Sequence, residues 1–267
     1  MTILIKYPKQ TNKNNEDFFK RKEQEFTSLD WCKWAGWWDT DGFFQDMSEK
    51  EKGMSKNKKT AGLKLTDKQP VSLFSKAFDT SLVYLEWKTT TPEPRSRTYT
   101  AKVYTSELRG KKGIWFTKNV YPYLIKEEKK NYAAKLLGYR PESKDFTTWT
   151  RDEAIHYLAT ALEGDGSFKA GGKKNSWIAA YLCSSEPQYL SDIQSLMSKK
   201  LGIQSSLREA DTYQTKEGIK TMYRLHIYGS IKNTPQNINF FQGLVKDNVM
   251  TLDRKKQVVQ KFVTYIS

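Results

Sequence analysis

The sequence predicts an α+β protein built from two similar halves, and three observations lead to this prediction. A nine-residue segment at 34–42 (WAGWWDTDG) recurs at 158–166 (LATALEGDG), about the length of a small domain further along the chain. Each copy is apolar for five positions, then acidic, and ends in Asp-Gly close before an aromatic residue. After each copy, apolar and polar residues alternate as in β-strands, and helical spacing returns later. Self-similarity at so long a period indicates a duplicated domain rather than a solenoid of short repeats.

The first half is predicted to run α-β-β-α-β-β-α after an N-terminal extension at 1–27. Asn residues at 12–15 break the pattern there, and 16–26 reads as a short charged helix. Ser28 or Asp30 is expected to cap the first motif helix, and Gly42 is expected to end it. The elements that follow are strands at 43–51 and 60–66, a helix at 70–78, a hairpin of 82–90 with 98–105, and a basic helical segment at 121–137.

The second half is predicted to repeat this order after a linker at 138–149, where Gly138 and Pro141 break the helix. Thr150 and Glu153 have the spacing of a capping box that starts the second motif helix. The remaining elements are strands at 167–170 and 177–184, a helix at 187–201 ended by Gly202, a hairpin over 205–228 turning near 217–218, and helices from 237 onwards. The predicted domains are therefore 1–27, 28–137, the linker 138–149, and 150–267.

Composition narrows the class of function. The 267 residues include 45 Lys plus Arg against 30 Asp plus Glu, a net charge of +15 with a pI near 9.5. Such an excess indicates a nucleic-acid partner, less often an anionic membrane surface. No apolar run reaches the length of a membrane helix, and the N-terminus lacks the features of a signal peptide. We therefore expect an intracellular, reducing compartment, such as a bacterial or phage-infected cytoplasm or an organelle.

Cysteine and histidine are both scarce. Cys32 and Cys183 are too few for a disulfide framework and lie in apolar runs, so both are expected to be reduced core residues. The two histidines, His156 and His226, cannot assemble a Cys/His zinc site with them and have no triad signature nearby. Zinc-finger and histidine-dependent hydrolase chemistry is thereby disfavoured.

The two repeated acids, Asp41 and Asp165, fall at the C-terminal ends of apolar helices, where the helix macrodipole is negative. If the two helices pack side by side, these carboxylates also repel one another. A hard divalent cation such as Mg²⁺, with backbone carbonyls nearby, would neutralise them. Small residues would let the helix backbones approach closely, namely Ala35, Gly36, Ala159 and Ala161.

Both nonamers resemble the LAGLIDADG motif, and the two-motif arrangement resembles monomeric LAGLIDADG homing endonucleases. The resemblance implies two pseudo-symmetric LAGLIDADG domains with the motif helices at their interface and antiparallel sheets forming a saddle over double-stranded DNA. It implies a monomer that cuts both strands of a long asymmetric target, leaving 3′ overhangs. Departures from the motif are Trp34, Trp37 and Trp38 in place of smaller residues, Thr160 in place of Gly, and Glu163 in place of the first Asp.

The resemblance also implies the metal site. Asp41 and Asp165, with the backbone carbonyls of Thr40 and Gly164, would hold two or three Mg²⁺ ions, with Mn²⁺ as a substitute and Ca²⁺ binding without cleavage. The family places a polar residue at the end of the second strand, which here is Asp67 in the first half and Ser185 or Glu186 in the second. It places a basic residue near the final helix, chosen among Lys126, Lys129 and Lys130, and among Arg254, Lys255 and Lys256. Of these the predicted catalytic residues are Asp67, Glu186, Lys126 and Lys256.

A two-stranded ribbon fits the DNA major groove, where each base pair presents a distinct pattern of donors and acceptors. Polar and basic strand residues predicted to face that groove are Gln45, Glu49, Lys64, Glu86, Lys88, Thr100, Lys102, Ser167, Lys169, Lys173, Arg208, Arg224 and His226. Lysines expected in loops, where they would contact phosphates, are Lys56, Lys58, Lys59, Lys111 and Lys112. For any single one of these residues, an ordinary solvated surface remains the alternative.

Two other functions fit the same fold. One is an intron-splicing maturase, whose partner would be intron RNA, and the other is a DNA-binding protein that does not cleave. Intact Asp residues in both motifs favour cleavage over either alternative.

Overall fold

The computed structural model describes residues 12–46, 59–90, 98–172, 176–215, 218–230, 234–246 and 249–266, and within 87–90 and 98–101 mostly the backbone alone. Four residues predicted to contact DNA, Glu49, Lys56, Lys58 and Lys173, lie outside the described residues. In the described part, no helix combines the length and apolar character needed to cross a membrane.

The first half has the predicted order, preceded by the helix expected in the N-terminal extension and with one unpredicted helix between the hairpin and the last helix. Its elements are α1 (Asn12–Glu25), α2 (Ser28–Thr40), β1 (Gly42–Asp46), β2 (Lys59–Leu65), α3 (Lys68–Ala77), β3 (Val83–Thr90), β4 (Thr98–Arg109), α4 (Lys111–Val120) and α5 (Glu127–Leu137). The second half repeats the order as α6 (Arg151–Gly164), β5 (Gly166–Gly171), β6 (Trp177–Ser184), α7 (Pro187–Leu201), β7 (Ser205–Thr215), β8 (Gly218–Ser230), α8 (Ile238–Val245) and α9 (Asp253–Ile266).

Each half contains one four-stranded antiparallel sheet, and the strand order is equivalent in both. The orders are β1-β2-β4-β3 and β5-β6-β8-β7. Two sheets with the same connectivity are what a duplicated domain requires, so the predicted α+β fold of two similar halves is confirmed. The domain boundaries themselves stay a prediction.

Several helix ends differ from the prediction. Helix α1 begins at Asn12, because Phe18 and Phe19 pack on Trp115 of α4 and tertiary contact outweighs the poor helix propensity of Asn. The N-cap of α2 is Thr27, and Asp30 is its capping-box partner, with Oδ2 accepting from Thr27 N at 2.9 Å. In the second half, the predicted capping box of Thr150 and Glu153 is present.

The motif helices end one residue before the repeated Asp, so Gly42 and Gly166 begin strands instead of ending helices. Helix α4 was also not predicted, because Gly110 and Gly113 flank two lysines and resemble a loop. Gly113 is required for packing: a Cβ there would lie 2.6 Å from the carbonyl oxygen of Leu108. The predicted basic helix at 121–137 is a 3₁₀ turn, Tyr121–Tyr123, followed by α5.

The bulky tryptophans of the first motif are buried, and two of them pack into the core of their own half. The Trp38 ring lies 4.4 Å from Phe116 of α4, and the Trp34 ring lies 5.4 Å from Phe74 of α3. Aromatic rings at these separations contribute beyond their buried area. Trp34 and Trp38 are therefore directed toward this core and do not hold the two motif helices apart.

The surface between α2 and α6, which we call the seam, is closely packed. A Cβ at Gly36 would lie 2.2 Å from Thr160 Oγ1 and 2.3 Å from the carbonyl oxygen of Tyr157. Thr160 Oγ1 in turn donates across the seam to the carbonyl of Lys33 at 2.8 Å. Gly36 and Thr160 occupy the same position in the two motif copies, so the side chain of one fills the space left by the other.

Candidate functional site

The two repeated acids meet at one end of the seam. Asp41 and Asp165 each follow the last residue of a motif helix, and a Cβ at Gly164 would lie 2.6 Å from Asp41 Oδ2 and 2.1 Å from Thr40 Oγ1. Burial raises the pKa of Asp41 to about 6, and the negative charge of Asp165 adds to the shift. Burial also raises the pKa of Asp165, opposed by the charges of three lysines, Lys126, Lys129 and Lys255. Two partly desolvated carboxylates thus lie within electrostatic reach of each other.

Two lysines, the half-buried Lys129 and the buried Lys255, lie against the ends of the motif helices. Lys129 of α5 donates from Nζ to the carbonyl of Gly42 at 2.6 Å. Lys255 of α9 donates to the carbonyls of Gly166 at 2.7 Å and Leu162 at 3.1 Å, and also to those of Glu163 and Gly164. Burial lowers the pKa of Lys129, and burial beside Arg254 lowers that of Lys255 to about 8. These lysines occupy the same position, the third residue, in α5 and α9.

The lysines predicted to be catalytic, Lys126 and Lys256, are therefore not the two that contact the motif helix ends, which are Lys129 and Lys255. Lys256 is the neighbour of Lys255 on α9, and the structure brings Lys255 to the carbonyls instead. Lys126 is the N-cap residue of α5, and its Nζ lies 3.5 Å from Glu186 Oε1. Sequence reasoning had included Lys129 and Lys255 among its alternatives but could not choose between adjacent residues, because the helix phase depends on where each helix starts.

The two predicted polar residues at the strand ends form ion pairs between the halves. Asp67, the N-cap of α3, accepts from Arg254 of α9 at 2.7 Å. Glu186, the N-cap of α7, is the partner of Lys126, and burial raises its pKa against the opposing charge of that lysine. Each pair joins one half to the other beside the two central carboxylates.

Two further acids were not predicted to be functional. Asp39 and Glu163 stand at the sixth position of the two copies, and both are essentially inaccessible to solvent, at 0% and 1% exposed. Asp39 accepts from the backbone amide of Ile125 at 2.7 Å, and Glu163 from that of Thr251 at 2.5 Å. The available signal was the presence of an acid at this position in both copies.

The donor set fits a hard divalent cation better than a soft one. Two carboxylates and the carbonyls at the motif helix ends supply only oxygen, which Mg²⁺ and Ca²⁺ prefer. The absence of a side chain at Gly164 keeps the space beside Asp41 open. In the described residues, no group of three or more His, Cys, Asp or Glu side chains could hold a metal, so a cation here would depend on backbone oxygens, water or substrate for its remaining ligands.

The second sheet presents a cationic and aromatic surface on the side away from its helices. The strand register places five predicted residues on this face: Ser167, Lys169, Arg208, Arg224 and His226. The ring of Tyr181 stacks on His226 at 4.6 Å, and the Arg224 guanidinium lies 5.6 Å from the same ring. Burial beside Arg208 and Arg224 lowers the pKa of His226, which favours its neutral form. Tyr181 was not among the residues predicted to contact DNA.

In the first sheet, Gln45 and Lys64 lie on the face away from the helices and adjoin the central acids. With Asp41, Glu107 and Lys129 they line a cleft of about 620 Å³. The register also gives a correction: Glu86, Lys88, Thr100 and Lys102 occupy positions that alternate with this face, so they belong to the opposite side of the sheet. Glu86 and Lys102 are exposed on that opposite side, so exposure of a polar residue in this hairpin does not by itself show which face of the sheet it occupies.

The lysines expected in loops lie in regular structure where they are described. Lys59 begins β2, with Nζ 4.0 Å from Asp46 Oδ2. Lys111 and Lys112 form the first turn of α4, and Lys112 is buried with Nζ 3.9 Å from the centre of the Phe18 ring. Cys32 is a core residue as predicted, whereas Cys183 is half-buried and pairs with Arg224 in the strand register.

Comparison with known proteins supports the same fold. Residues 152–232 match a family described as a LAGLIDADG-like domain. The homing endonuclease I-WcaI, bound to its DNA recognition sequence, superposes with a TM-score of 0.53 at 12% identity, covering 94% of each chain. I-GzeII in complex with its DNA target gives 0.46 at 12% identity over 87% of this chain and 96% of that one, and I-CpaMI bound to uncleaved DNA gives 0.43 at 10% over 90% and 92%. A comparison with curated proteins gave no sequence match.

A duplicated fold with two packed motif helices, each ending in Asp-Gly, defines a two-motif LAGLIDADG architecture. The family match covers residues 152–232 in the second half, and the superposition on I-WcaI shows the same fold over most of the chain.

Proposed function

We propose that the protein is a site-specific double-strand DNA endonuclease of the homing type. The observation that carries the proposal is the meeting of Asp41 and Asp165, one from each half, beside the groove faces of two sheets. The fold match to I-WcaI, whose structure contains its DNA recognition sequence, supports DNA as the partner. One half of the protein would read each half of an asymmetric duplex, and a single chain supplies both halves.

Asp41 and Asp165, with the carbonyls of Thr40 and Gly164, would hold Mg²⁺ ions, which supply activation of a water and stabilisation of the departing 3′ oxygen. The protein's own groups arrange the rest of the site. Lys129 and Lys255 bring positive charge to the helix ends, where they offset the carboxylates and the incoming phosphodiester. The carbonyl of Gly164 already accepts from Lys255 at 3.3 Å, so this lysine also orients one of the proposed ligands. The expected products carry 5′-phosphate and 3′-hydroxyl ends with 3′ overhangs.

The groove face of the second sheet is proposed to provide both affinity and sequence reading. Arginine pairs with guanine in the major groove, so Arg208 and Arg224 are the strongest candidates for base contacts. Lys169 and residues at the strand ends would contact phosphates, which add affinity without sequence information. The protein is proposed to act as a monomer on double-stranded DNA.

Cleavage of DNA spanning the joined flanks of the gene tests the proposal. Purified protein should give a discrete double-strand break in Mg²⁺ and bind without cutting in Ca²⁺. Asp41→Asn and Asp165→Asn should each lower double-strand cutting by about a thousandfold or more with binding largely kept, because a metal ligand is lost. Asp152→Asn is the matched control, since it makes the same change at the exposed start of α6, and it should cut normally.

Three results would count against this proposal, the first against the role of one Asp and the other two against the endonuclease function. Full cutting by either motif variant would remove that Asp from the reaction. Restored splicing of an intron transcript by protein that leaves the same DNA intact would instead establish the maturase function, and binding to the DNA without cutting in Mg²⁺ would establish a non-cleaving binding protein.

A further inference from the structure

The fully buried acids Asp39 and Glu163 require an explanation beyond the two metal-binding candidates. Each is the sixth residue of its motif copy, two positions before the repeated Asp. Burying a carboxylate is costly unless hydrogen bonds compensate it, so its partners show what it is for. Burial raises the pKa of Asp39 to about 6 and that of Glu163 to about 7, against the backbone hydrogen bonds that lower both.

In both halves, these partners are backbone amides at the start of the last long helix. Asp39 Oδ2 accepts from the amides of Ile125 at 2.7 Å and Lys126 at 3.2 Å, just before α5. Glu163 Oε1 accepts from the amides of Thr251 and Leu252, both at 2.5 Å, just before α9. Backbone amides at a helix start lack intrahelical partners, and the positive end of the helix dipole favours a carboxylate. Each acid therefore fixes the start of α5 or α9 to its own motif helix.

The helices fixed in this way carry the two lysines of the site in their first turn. Lys129 is the third residue of α5 and returns to the carbonyl of Gly42, just beyond its motif helix. Lys255 is the third residue of α9 and returns to the carbonyls of Leu162, Glu163, Gly164 and Gly166. At each motif, the acid therefore binds the start of a helix, and the lysine of that helix binds back to the end of the motif helix. The same arrangement occurs in both halves.

Each acid also has a partner in the opposite half. Tyr157 of α6 donates its hydroxyl to Asp39. The charge of Lys33 of α2 lowers the pKa of Glu163. Lys33 and Tyr157 are the residues immediately before the two motif copies, so the cross-seam partners are equivalent in position although they differ in chemistry.

We propose that Asp39 and Glu163 are positioning residues that hold Lys129 and Lys255, respectively, at the ends of the motif helices, each acid acting on the lysine of its own half. The catalytic consequence of this arrangement rests on the proposed endonuclease function, whereas the arrangement itself does not. The two statements can therefore be tested separately.

Acetylation of the full-length protein, read lysine by lysine by mass spectrometry, tests the arrangement without any DNA. In the wild type, Lys129 and Lys255 should react slowly. Glu163→Ala should raise the acetylation rate of Lys255 by about tenfold while that of Lys129 changes little, because an unpaired buried donor favours local opening of the α9 start. Asp39→Ala should do the reverse. Glu163→Gln and Asp39→Asn keep an acceptor oxygen and should restore most of the protection.

Asn237→Ala is the matched control for losing a buried side chain that bonds to backbone. Asn237 is fully buried and accepts from Gln204 N while donating to the carbonyls of Gln204 and Tyr228, away from the motif helix ends. Its loss should leave both lysines protected. If Glu163→Ala does not fold, Glu163→Asp can replace it, because it withdraws the carboxylate by one methylene. It should give a smaller increase in acetylation rate, confined to Lys255. Protection of both lysines in the Ala variants, or equal exposure of both in every variant, would overturn the proposal.

Strand-resolved nicking assays test the catalytic consequence. Glu163→Ala should slow the cutting of one DNA strand more than the other, and Asp39→Ala should reverse the preference, because the two lysines lie at the ends of different motif helices. A purely structural role would lower the cutting of both strands equally through loss of folded protein. If the wild type cuts no DNA, the proposed function fails, while lysine-specific acetylation still decides the arrangement.

Discussion

The two halves of the molecule repeat each other at the seam and differ on their sheets. At the end of the seam the charged groups have counterparts, with Asp41 matching Asp165, Asp39 matching Glu163, and Lys129 matching Lys255. On the sheets, the second half stacks Tyr181 and His226 beside two arginines. The corresponding face of the first half carries Gln45 and Lys64, with Val83 and Leu85 at the start of β3.

This contrast separates two requirements of the proposed reaction. Cutting both strands demands the same chemistry twice, which explains a symmetric seam. Reading an asymmetric target demands different surfaces, which the sheets supply. The charges agree with this division, because Arg109 on the first sheet is paired with Glu107 at 2.8 Å, whereas Arg208 and Arg224 lie next to each other on the second.

The largest expected effect on stability comes from a substitution in the closely packed seam. Gly36→Ala should destabilise the protein by about 3 kcal/mol, because the added Cβ meets the fixed carbonyl of Tyr157 as well as Thr160 Oγ1. Thr160→Ala, at the same position in the other copy, should cost only about 1 kcal/mol through loss of one cross-seam hydrogen bond. Chemical denaturation of both variants measures the difference.

The double variant sharpens this comparison. Removing Thr160 Oγ1 relieves one of the two clashes and leaves the Tyr157 carbonyl in place, so Gly36→Ala with Thr160→Ala should be less destabilised than the sum of the two. Equal costs for the two single variants would show that α2 and α6 are too far apart for a Cβ at Gly36 to meet the Tyr157 carbonyl.

A second expected effect concerns the charges at the end of the seam. The folded-state pKa of Asp41, about 6, lies above the ordinary value of an aspartate. Protonation of Asp41 therefore stabilises the folded state fully at acidic pH, and this stabilisation is lost as the pH rises through 6. Without divalent cations, Asp41→Asn should therefore stabilise the protein at pH 8 by about 1–3 kcal/mol and change little at pH 4. Thermal unfolding in a chelator across pH 4–8 measures this.

Asp165→Asn provides the comparison between the halves. The pKa of Asp165 is raised by burial and opposed by three lysines, so its neutralisation should stabilise the protein less than that of Asp41. If neither Asp41→Asn nor Asp165→Asn stabilises the protein at pH 8, then the two carboxylates are better solvated than their burial indicates.

Sequence reasoning was most successful where the signal was local and repeated. The duplication, the alternation of β-strands, the capping box at Thr150 and the Gly202 helix end depend on short patterns, and the structure contains all of them. It was least successful where tertiary contact decides. Lys112 looked like a loop lysine and is buried on Phe18, and helix α4 forms because Gly113 permits close packing.

The candidate site shows the same division. Asp41 and Asp165 follow from the motif alone, but choosing Lys255 over Lys256 requires the phase of a helix whose start is fixed by Glu163 from elsewhere in the chain. Likewise, Glu86 and Lys102 alternate with polar neighbours as expected of a strand, yet only the register across β2, β4 and β3 shows which face they occupy.

The smallest expected effect bears on the sheets. Arg224→Ala should weaken binding to the cognate DNA by about tenfold, because it removes both the proposed base contact and a cation near the Tyr181 ring. Lys64→Ala, on the equivalent face of the first half, should weaken it about threefold, because it removes one positive charge from the face proposed to meet DNA. Lys199→Ala removes the same charge from the exposed surface of α7 and should leave binding nearly unchanged.

Titrations at several salt concentrations distinguish the two DNA-facing variants. Lys64→Ala should lower the salt slope by about one and weaken binding to all sequences alike. Arg224→Ala should also relax discrimination at one base pair. If Lys64→Ala proves the more damaging, or if Arg224→Ala weakens cognate and unrelated DNA equally, then the aromatic and cationic surface of the second sheet is not where sequence is read, and the asymmetry of the sheets must have another cause.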